Sequence, residues 1–136
     1  PLADEFERAL AAPTKEARQQ AIATMLRDML NRFHDNPAWP RLYLEFVSQT
    51  RDAQVARGMA HLYDHARLLA KEMIERLVEV GITDPDLDAD TVSIFWCALI
   101  DGFMLAWVMK PETFADGQLV ERTVAMLWNG LAPKSA

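Results

Sequence analysis

His61 and His65 are the residues of this sequence whose spacing first suggests chemistry. They stand four positions apart, so a helix would place both imidazoles on one face, as a metal site requires. However, Leu62 occupies the position at which zinc proteases of this pattern carry glutamate. On a helical projection the pair lies outside the apolar stripe and near Glu72. We therefore interpret the histidines as a solvent-facing pair, with metal binding through Glu72 as a third ligand as the alternative.

An acidic segment, residues 84–90, has aspartate at alternate positions, a pattern related to calcium-binding loops. Ala89 replaces the glycine that such a loop requires at its sixth position. Negative charge is also favourable just before a helix and in its first turn, because both positions lie at the positive end of the helix dipole. We therefore expect Asp88 to cap the following helix and Asp90 to lie in its first turn.

Motifs for catalysis are absent from the sequence, which has no glycine-rich phosphate loop, no nucleophile elbow and no paired Glu-x-x-His motifs. The single cysteine, Cys97, cannot form an internal disulfide or a cysteine-based zinc site, and it is most simply a small core residue. We expect a protein that is not an enzyme and that carries no metal or cofactor.

Methionine and aromatic residues recur on several predicted helices and could surround one internal cavity, although core packing explains them equally well. Tyr43 and Tyr63 are the favoured polar anchors, because a buried hydroxyl needs a partner that a ligand can provide. The candidate ligand-binding residues are Met25, Met29, Phe33, Tyr43, Phe46, Met59, Leu62, Tyr63, Trp96, Leu99 and Phe103.

Asp101 places a carboxylate in the middle of an apolar run, where an unpaired charge would be costly. It therefore needs a partner or a proton. We expect an arginine or histidine on a neighbouring helix or on a second subunit to pair with it, and ligand contact is the alternative.

Glycine and proline residues separate segments whose apolar residues recur at three and four positions, and no segment alternates as a strand does. This pattern predicts an all-α bundle of about six helices. Thr14, Asp52 and Asp88 are predicted N-caps, while Gly81 and Gly130 are predicted to end helices. The predicted helices span about residues 2–11, 15–33, 40–50, 53–80, 89–109 and 116–129.

Two of these helices have predicted buried faces that the structure can test directly. For the third helix the face consists of Trp39, Tyr43, Phe46 and Val47. For the fourth it is the stripe Val55, Met59, Leu62, Ala66, Leu69, Met73 and Leu77.

The fifth predicted helix, residues 89–109, is apolar on every side and must be covered on every side. Asp101 interrupts the apolar run, which argues against a membrane span. We interpret the helix as lying between its own core and a partner subunit. A ridge of small residues, Ala98, Gly102 and Ala106, would allow the close approach of another helix.

The composition places limits on function. A chain of 136 residues with 51% hydrophobic residues predicts one globular domain over residues 1–136. The net charge of −6 argues against a phosphate-binding surface, since nucleic-acid binding needs clustered lysine and arginine. One cysteine and no visible signal peptide favour a reducing, cytoplasmic location.

The last two predicted helices carry the most specific pattern. The segment Ala98–Leu105 consists of small and apolar residues around a central Asp-Gly pair. A proline-containing turn, residues 110–114, then connects this helix to the final one. Together with the opening segment 2–13, the Trp39 region and the acidic loop, this order resembles the C-terminal domain of TetR-type transcriptional regulators over essentially the whole chain.

The resemblance implies a bacterial regulator, usually a repressor, that binds a small, largely apolar effector and forms a homodimer. Its last two helices would form a dimeric four-helix bundle. DNA would be contacted only through an N-terminal helix-turn-helix domain, which nothing in this sequence resembles. The implied interface residues are Ala98, Asp101, Gly102, Leu105, Ala106, Val120, Val124 and Leu127. The alternatives are a helical metal-binding protein or enzyme using His61 and His65, or a purely structural dimerisation module.

Overall fold

The computed structural model describes residues 2–115 and 117–134. These ranges contain six α-helices and one short 3-10 helix and no β-strand, so the predicted all-α class is confirmed. The helices are α1 (Leu2–Leu10), α2 (Lys15–Asp35), α3 (Ala38–Ser48), α4 (Ala53–Glu79), α5 (Ala89–Met109), the 3-10 helix (Pro111–Phe114) and α6 (Gln118–Leu131).

Three predicted N-caps are confirmed, because each side chain accepts the hydrogen bonds that a free helix end needs. Thr14 Oγ1 accepts from the backbone N–H of Ala17 at 3.1 Å. Asp52 Oδ1 accepts from two backbone N–H groups of the first turn of α4, at 2.8 and 3.2 Å. Asp88 Oδ1 accepts from the backbone N–H of Asp90 at 3.2 Å.

Gly81 ends α4 as predicted, with a φ of 73° that side chains with a Cβ rarely adopt. The next residue, Ile82, donates its backbone N–H to the carbonyl of Leu77 at 3.3 Å and is fully buried. The hydrogen bond and the packing of Ile82 in the same cluster as Leu77 fix the direction in which the chain leaves α4.

The boundaries of the last helix were predicted less well. Gly130 lies inside α6, which continues to Leu131, so its predicted role as the helix end is wrong. The predicted start, Asp116, lies outside the described residues. Gly117, with a φ of 66°, precedes the first residue of α6.

Two hydrophobic clusters hold the bundle together. The first joins α1, α2 and the end of α4, with Phe6, Ile22 and Leu77 among its buried side chains. The second joins α2 to α6 through Leu30, Val120 and Val124, and Ile100 and Phe103 of α5 pack against it. The core therefore lies on the inner faces of α1, α2, α5 and α6 and on the C-terminal part of α4.

The prediction that the apolar face of α3 is buried is wrong, because most of this face is exposed. Trp39, Phe46 and Val47 are exposed and Tyr43 is half-buried, whereas Pro40 is fully buried. Amphipathic spacing identifies an apolar face but does not say whether the same chain covers it.

The predicted stripe of α4 is wrong in its middle, whereas Val55, Met59, Leu69 and Met73 are half-buried and Leu77 is buried. Leu62 and Ala66 are exposed, while the buried residues of this helix are Ala70, Ile74 and Leu77. The physical reason is that α1 and α2 cover only the C-terminal part of α4, so the apolar residues of its first half have fewer neighbours.

Candidate ligand cavity

A cavity of about 570 Å³ lies in the middle of the bundle, bounded by α1, α2, α4, α5 and α6. This volume falls within the range of roughly 300–1,000 Å³ that is usual for small-molecule sites. Its lining consists of Leu2, Phe6, Ile22, Met25, Leu26, Met29, Ala70, Met73, Ile74, Leu77, Leu87, Thr91, Val92, Phe95, Trp96, Leu99, Phe103, Thr123, Met126, Leu127, Trp128, Gly130 and Leu131.

The lining is apolar and carries no formal charge. None of the described residues that form it is an aspartate, glutamate, lysine, arginine or histidine. The lining residues with polar side-chain atoms are Thr91, Thr123, Trp96 and Trp128, and the Thr91 hydroxyl donates to Asp88 Oδ2 at 2.6 Å. An ionised ligand would lose its hydration here without gaining a counter-charge, so the cavity favours uncharged molecules.

The cavity brings together five of the eleven predicted ligand-binding residues: Met25, Met29, Trp96, Leu99 and Phe103. The other six, Phe33, Tyr43, Phe46, Met59, Leu62 and Tyr63, are not part of its lining. Phe33 lines a separate cavity of about 160 Å³ beside the 3-10 helix. Phe46, Leu62 and Tyr63 are exposed, because the first half of α4 and the outer face of α3 are not covered.

Sequence reasoning missed the contributions of α1, of the C-terminal part of α4 and of α6 to the cavity. Phe6 and Ala70 line it, as do Thr123 and Met126. The three-and-four spacing of Met73 and Leu77 was a usable signal for α4, since both lie on the predicted stripe. No local pattern showed that α1 would fold back over the cavity.

The cavity lining includes exposed side chains of α5 and α6. Close to the 3-10 helix, Ile100 and Phe103 of α5 pack against the buried cluster that contains Val120 and Val124. Over its whole length α6 contacts mainly α2 and the 3-10 helix, and it has fewer contacts with α5. Phe95 of α5 is 58% exposed and Met126 of α6 is 74% exposed, although both line the cavity. These two side chains therefore form its rim.

The outer face of α5 is an exposed apolar stripe. Among the described helices, α5 is the one whose length and composition would allow it to cross a membrane. Its Ile94, Leu105 and Met109 are at least half exposed, and the small residues Ala98 and Gly102 lie exposed between them. Contiguous exposed apolar surface is typical of contact sites in soluble proteins.

The residues implied as a dimer interface fall into two groups. Ala98, Gly102 and Leu105 are exposed on the outer face of α5, and Ala106 is half-buried. The other members face inward. Val120 and Val124 are buried in the core cluster, Leu127 lines the cavity, and Asp101 is half-buried. The exposed apolar side chain that α6 can offer a partner is Met126, beside the small Ala125.

Asp101 lies outside the cavity and is paired with a tyrosine. The hydroxyl of Tyr43 on α3 donates to Asp101 Oδ1 at 3.0 Å. Within the chain the partner is therefore a phenol, and the expectation of an arginine or histidine on a neighbouring helix is wrong. The buried Cys97 lies one turn earlier on α5, and burial together with the Asp101 carboxylate raises the pKa of its thiol.

We expect the hydroxyl of Tyr43 to lose its proton at a higher pH than an ordinary tyrosine does. Burial, and then the Asp101 carboxylate, raise the pKa of Tyr43 to about 12. Because the folded pKa lies above the unfolded value near 10, the stability that Tyr43 contributes is complete below about pH 10. It is lost as the pH rises towards about 12. Tyrosinate absorbance of the wild type minus that of Tyr43→Phe measures this titration.

Asp101→Asn provides the control for this titration. Removing the charge while retaining an oxygen acceptor should bring the pKa of Tyr43 closer to its usual value. A Tyr43 that titrates near pH 10 in the wild-type protein would contradict the contact between α3 and α5.

Ion pairs connect the helices around the cavity. Asp90 at the start of α5 accepts hydrogen bonds from Arg67 and Lys71 of α4, each at 3.0 Å, and these cations lower the pKa of Asp90. Arg27 of α2 pairs with Glu121 of α6 through both carboxylate oxygens. These pairs link α4 to α5 and α2 to α6, which fixes the walls of the cavity.

Metal chemistry gains no support from the described part of the chain. His61 and His65 are both exposed on α4. No three histidine, cysteine, aspartate or glutamate side chains among the described residues are grouped so that they could hold a metal ion. Of the alternating aspartates, Asp84 and Asp88 instead accept backbone hydrogen bonds within the loop and at the start of α5.

Comparison with protein families gives a match over most of the chain. A family model described as BetI-type transcriptional repressor, C-terminal, matches residues 8–129, which include almost all of the helical bundle. Searches of curated proteins and of solved structures found no match.

Proposed function

Because the chain belongs to the TetR-type transcriptional regulators, through their BetI-type C-terminal domain, we propose that it binds a small uncharged effector in the central cavity. The observation that carries this proposal is a cavity of about 570 Å³ whose lining has no charged side chain. A solid core would serve a purely structural module equally well, so a cavity of ligand size favours the effector-binding function.

The proposed domain forms a homodimer through α5 and α6. The exposed stripe on α5, centred on Ala98 and Gly102, and the neighbouring Met126 of α6 are the surfaces available for this contact. Burial of these side chains against a second copy would remove apolar surface from water. The interface lies on the outer faces of these helices, while Val120 and Val124 support it from within the core.

In the proposed mechanism the domain is regulatory and not enzymatic. The effector binds one arrangement of the helices more tightly than another and so shifts the population between them. The shift changes the separation of two N-terminal DNA-binding domains, which lie outside this chain, and with it their fit to successive half-sites. The protein would act in the bacterial cytoplasm, as a repressor in the commonest case.

Two matched fluorescent probes test the proposed ligand class. N-phenylnaphthylamine is neutral, and anilinonaphthalene sulfonate has the same aromatic skeleton with an added negative charge. We expect the neutral probe to bind with a dissociation constant at least about tenfold lower, because the cavity offers the sulfonate no counter-charge. Fluorescence titration of the purified chain measures both constants.

Variants of two alanines on α4 distinguish the cavity from the outer surface. Ala70 lines the cavity, so the ring in Ala70→Phe should occupy its volume and weaken binding of the neutral probe by at least about tenfold. Ala60 is exposed on the same helix, and Ala60→Phe should bind the probe as the wild type does. Equal binding by both variants, or preference for the sulfonate, would contradict the proposed site.

A further inference from the structure

We propose that the small cavity beside the 3-10 helix is a second ligand site, which holds one uncharged molecule the size of a single aromatic ring. This cavity has a volume of about 160 Å³ and lies between α2, α5, the 3-10 helix and the start of α6. An apolar cavity of about 150 Å³ can bind benzene, so the volume suits one ring. The site is separate from the central cavity and goes beyond the proposed function.

Aromatic side chains form the walls of the small cavity. Phe33 comes from α2, Phe103 and Trp107 from α5, and Phe114 from the 3-10 helix. The ring centroids of Phe103 and Phe114 are 5.6 Å apart, and those of Trp107 and Phe114 are 5.2 Å apart, edge to face. Aromatic rings attract one another in such tilted arrangements. A ring bound in the cavity would therefore extend an aromatic cluster that the chain already forms.

Small residues explain why the chain does not fill this space itself. Ala115 and Gly117 line the cavity, and their side chains are a methyl group and a hydrogen atom. Gly117 has a φ of 66°, so a larger residue there would strain the backbone. Leu30 and Val120 are buried and form the apolar base of the cavity. Asn31 is exposed like Ala115 and Gly117, so we expect a ligand to enter past these three residues.

The lining favours a neutral ligand over a cation of the same size. Among the described residues that form it, none is an aspartate, glutamate, lysine, arginine or histidine. Aromatic faces attract cations, but a cation would lose hydration here without a carboxylate to replace it. The amide of Asn31 also lines the cavity and can hydrogen-bond to a neutral substituent such as a hydroxyl.

Phe103 separates the small cavity from the central one. It lines both, and within the described part of the chain no other residue does so. Phe103 also packs against the buried cluster of Leu30, Val120 and Val124, which holds this wall in place. The two cavities are therefore distinct compartments that meet at one ring, and each can hold a ligand of its own.

Fluorine NMR of fluorobenzene with the purified chain tests the second site. This probe is small and neutral, so it should enter both cavities. An excess of N-phenylnaphthylamine should displace it from the central cavity alone, because three rings are too large for a cavity that suits one. We expect one bound fluorobenzene per protomer to remain, with Overhauser effects between this probe and the indole ring of Trp107.

Two alanine variants and a cation sharpen the test. Ala115→Phe should place a ring in the small cavity and weaken the remaining binding by at least about tenfold. Ala60→Phe, at an exposed position of α4, should bind fluorobenzene as the wild type does. Tetramethylammonium, a cation of similar size, should not displace the remaining probe. Circular dichroism confirms that the variants keep the helical fold.

The outcomes separate this site from the effector site. A chain that binds N-phenylnaphthylamine and then retains no fluorobenzene would overturn the second site and leave the effector site standing. A chain that binds no N-phenylnaphthylamine but holds fluorobenzene against Trp107 would support the second site alone. Retained probe without an Overhauser effect to Trp107, equal binding by Ala115→Phe and Ala60→Phe, or displacement by tetramethylammonium would each overturn the proposal.

Discussion

Leu30→Ala lowers the free energy of unfolding by about 2–5 kcal/mol, which is the usual cost of removing a buried leucine side chain. Leu30 is 3% exposed and lies in the cluster with Val120 and Val124 that joins α2 to α6. Because Val120 and Val124 are themselves buried and other side chains pack against this cluster, the neighbours can fill the new void only in part. Urea unfolding followed by circular dichroism measures the change.

Leu68→Ala is the matched control for this prediction. Leu68 is exposed on α4, so its truncation should change the free energy of unfolding by less than about 0.5 kcal/mol. A Leu30→Ala protein as stable as Leu68→Ala would contradict the packing of α6 on α2.

Gly102→Leu weakens the proposed dimer and leaves the protomer folded. Within one chain a Cβ at Gly102 meets no atom within 4 Å, so the added side chain clashes with nothing of its own. Against a partner helix, overpacking typically costs about 1–3 kcal/mol, which raises the dimer dissociation constant about 5- to 150-fold. Sedimentation equilibrium measures this constant.

Gly58→Leu separates the effect of the partner from the effect on the helix. Gly58 is exposed within α4, and a Cβ there likewise meets no atom within 4 Å. Each substitution replaces a helical glycine with leucine. This replacement stabilises a helix by up to about 1 kcal/mol. We expect Gly58→Leu to remain dimeric. Equal dissociation constants for the two variants would show that the outer face of α5 is not the interface.

The helices could be predicted because their ends are encoded locally. Thr14, Asp52 and Asp88 each accept hydrogen bonds within three residues, so the necessary information lies in a short segment. Gly81 likewise needs only its own freedom to adopt a positive φ. The start of α6 was placed less accurately, because Gly117 precedes that helix without a side chain that could cap it.

The cavity could be predicted only in part, since its lining depends on contacts between distant segments. Met25, Met29, Trp96, Leu99 and Phe103 were found from residue type and helical spacing. Phe6 was missed, because nothing in its local sequence shows that α1 packs on α2 and the end of α4.

The error at Asp101 has a similar origin. A buried carboxylate signals that it needs a partner but does not identify one. Its partner, Tyr43, is distant in sequence and was predicted as a ligand anchor. Tyr43 and Phe46 were expected in the cavity because the third helix is apolar on one side. The structure leaves much of that side exposed instead.

Native mass spectrometry of the chain with N-phenylnaphthylamine tests the central claim, a dimeric domain with an internal site for an uncharged ligand. We expect a dimer that retains up to one probe molecule per protomer, and Ala70→Phe should give the same dimer without retained probe. A monomer that retains no probe would contradict both the proposed interface and the proposed ligand site.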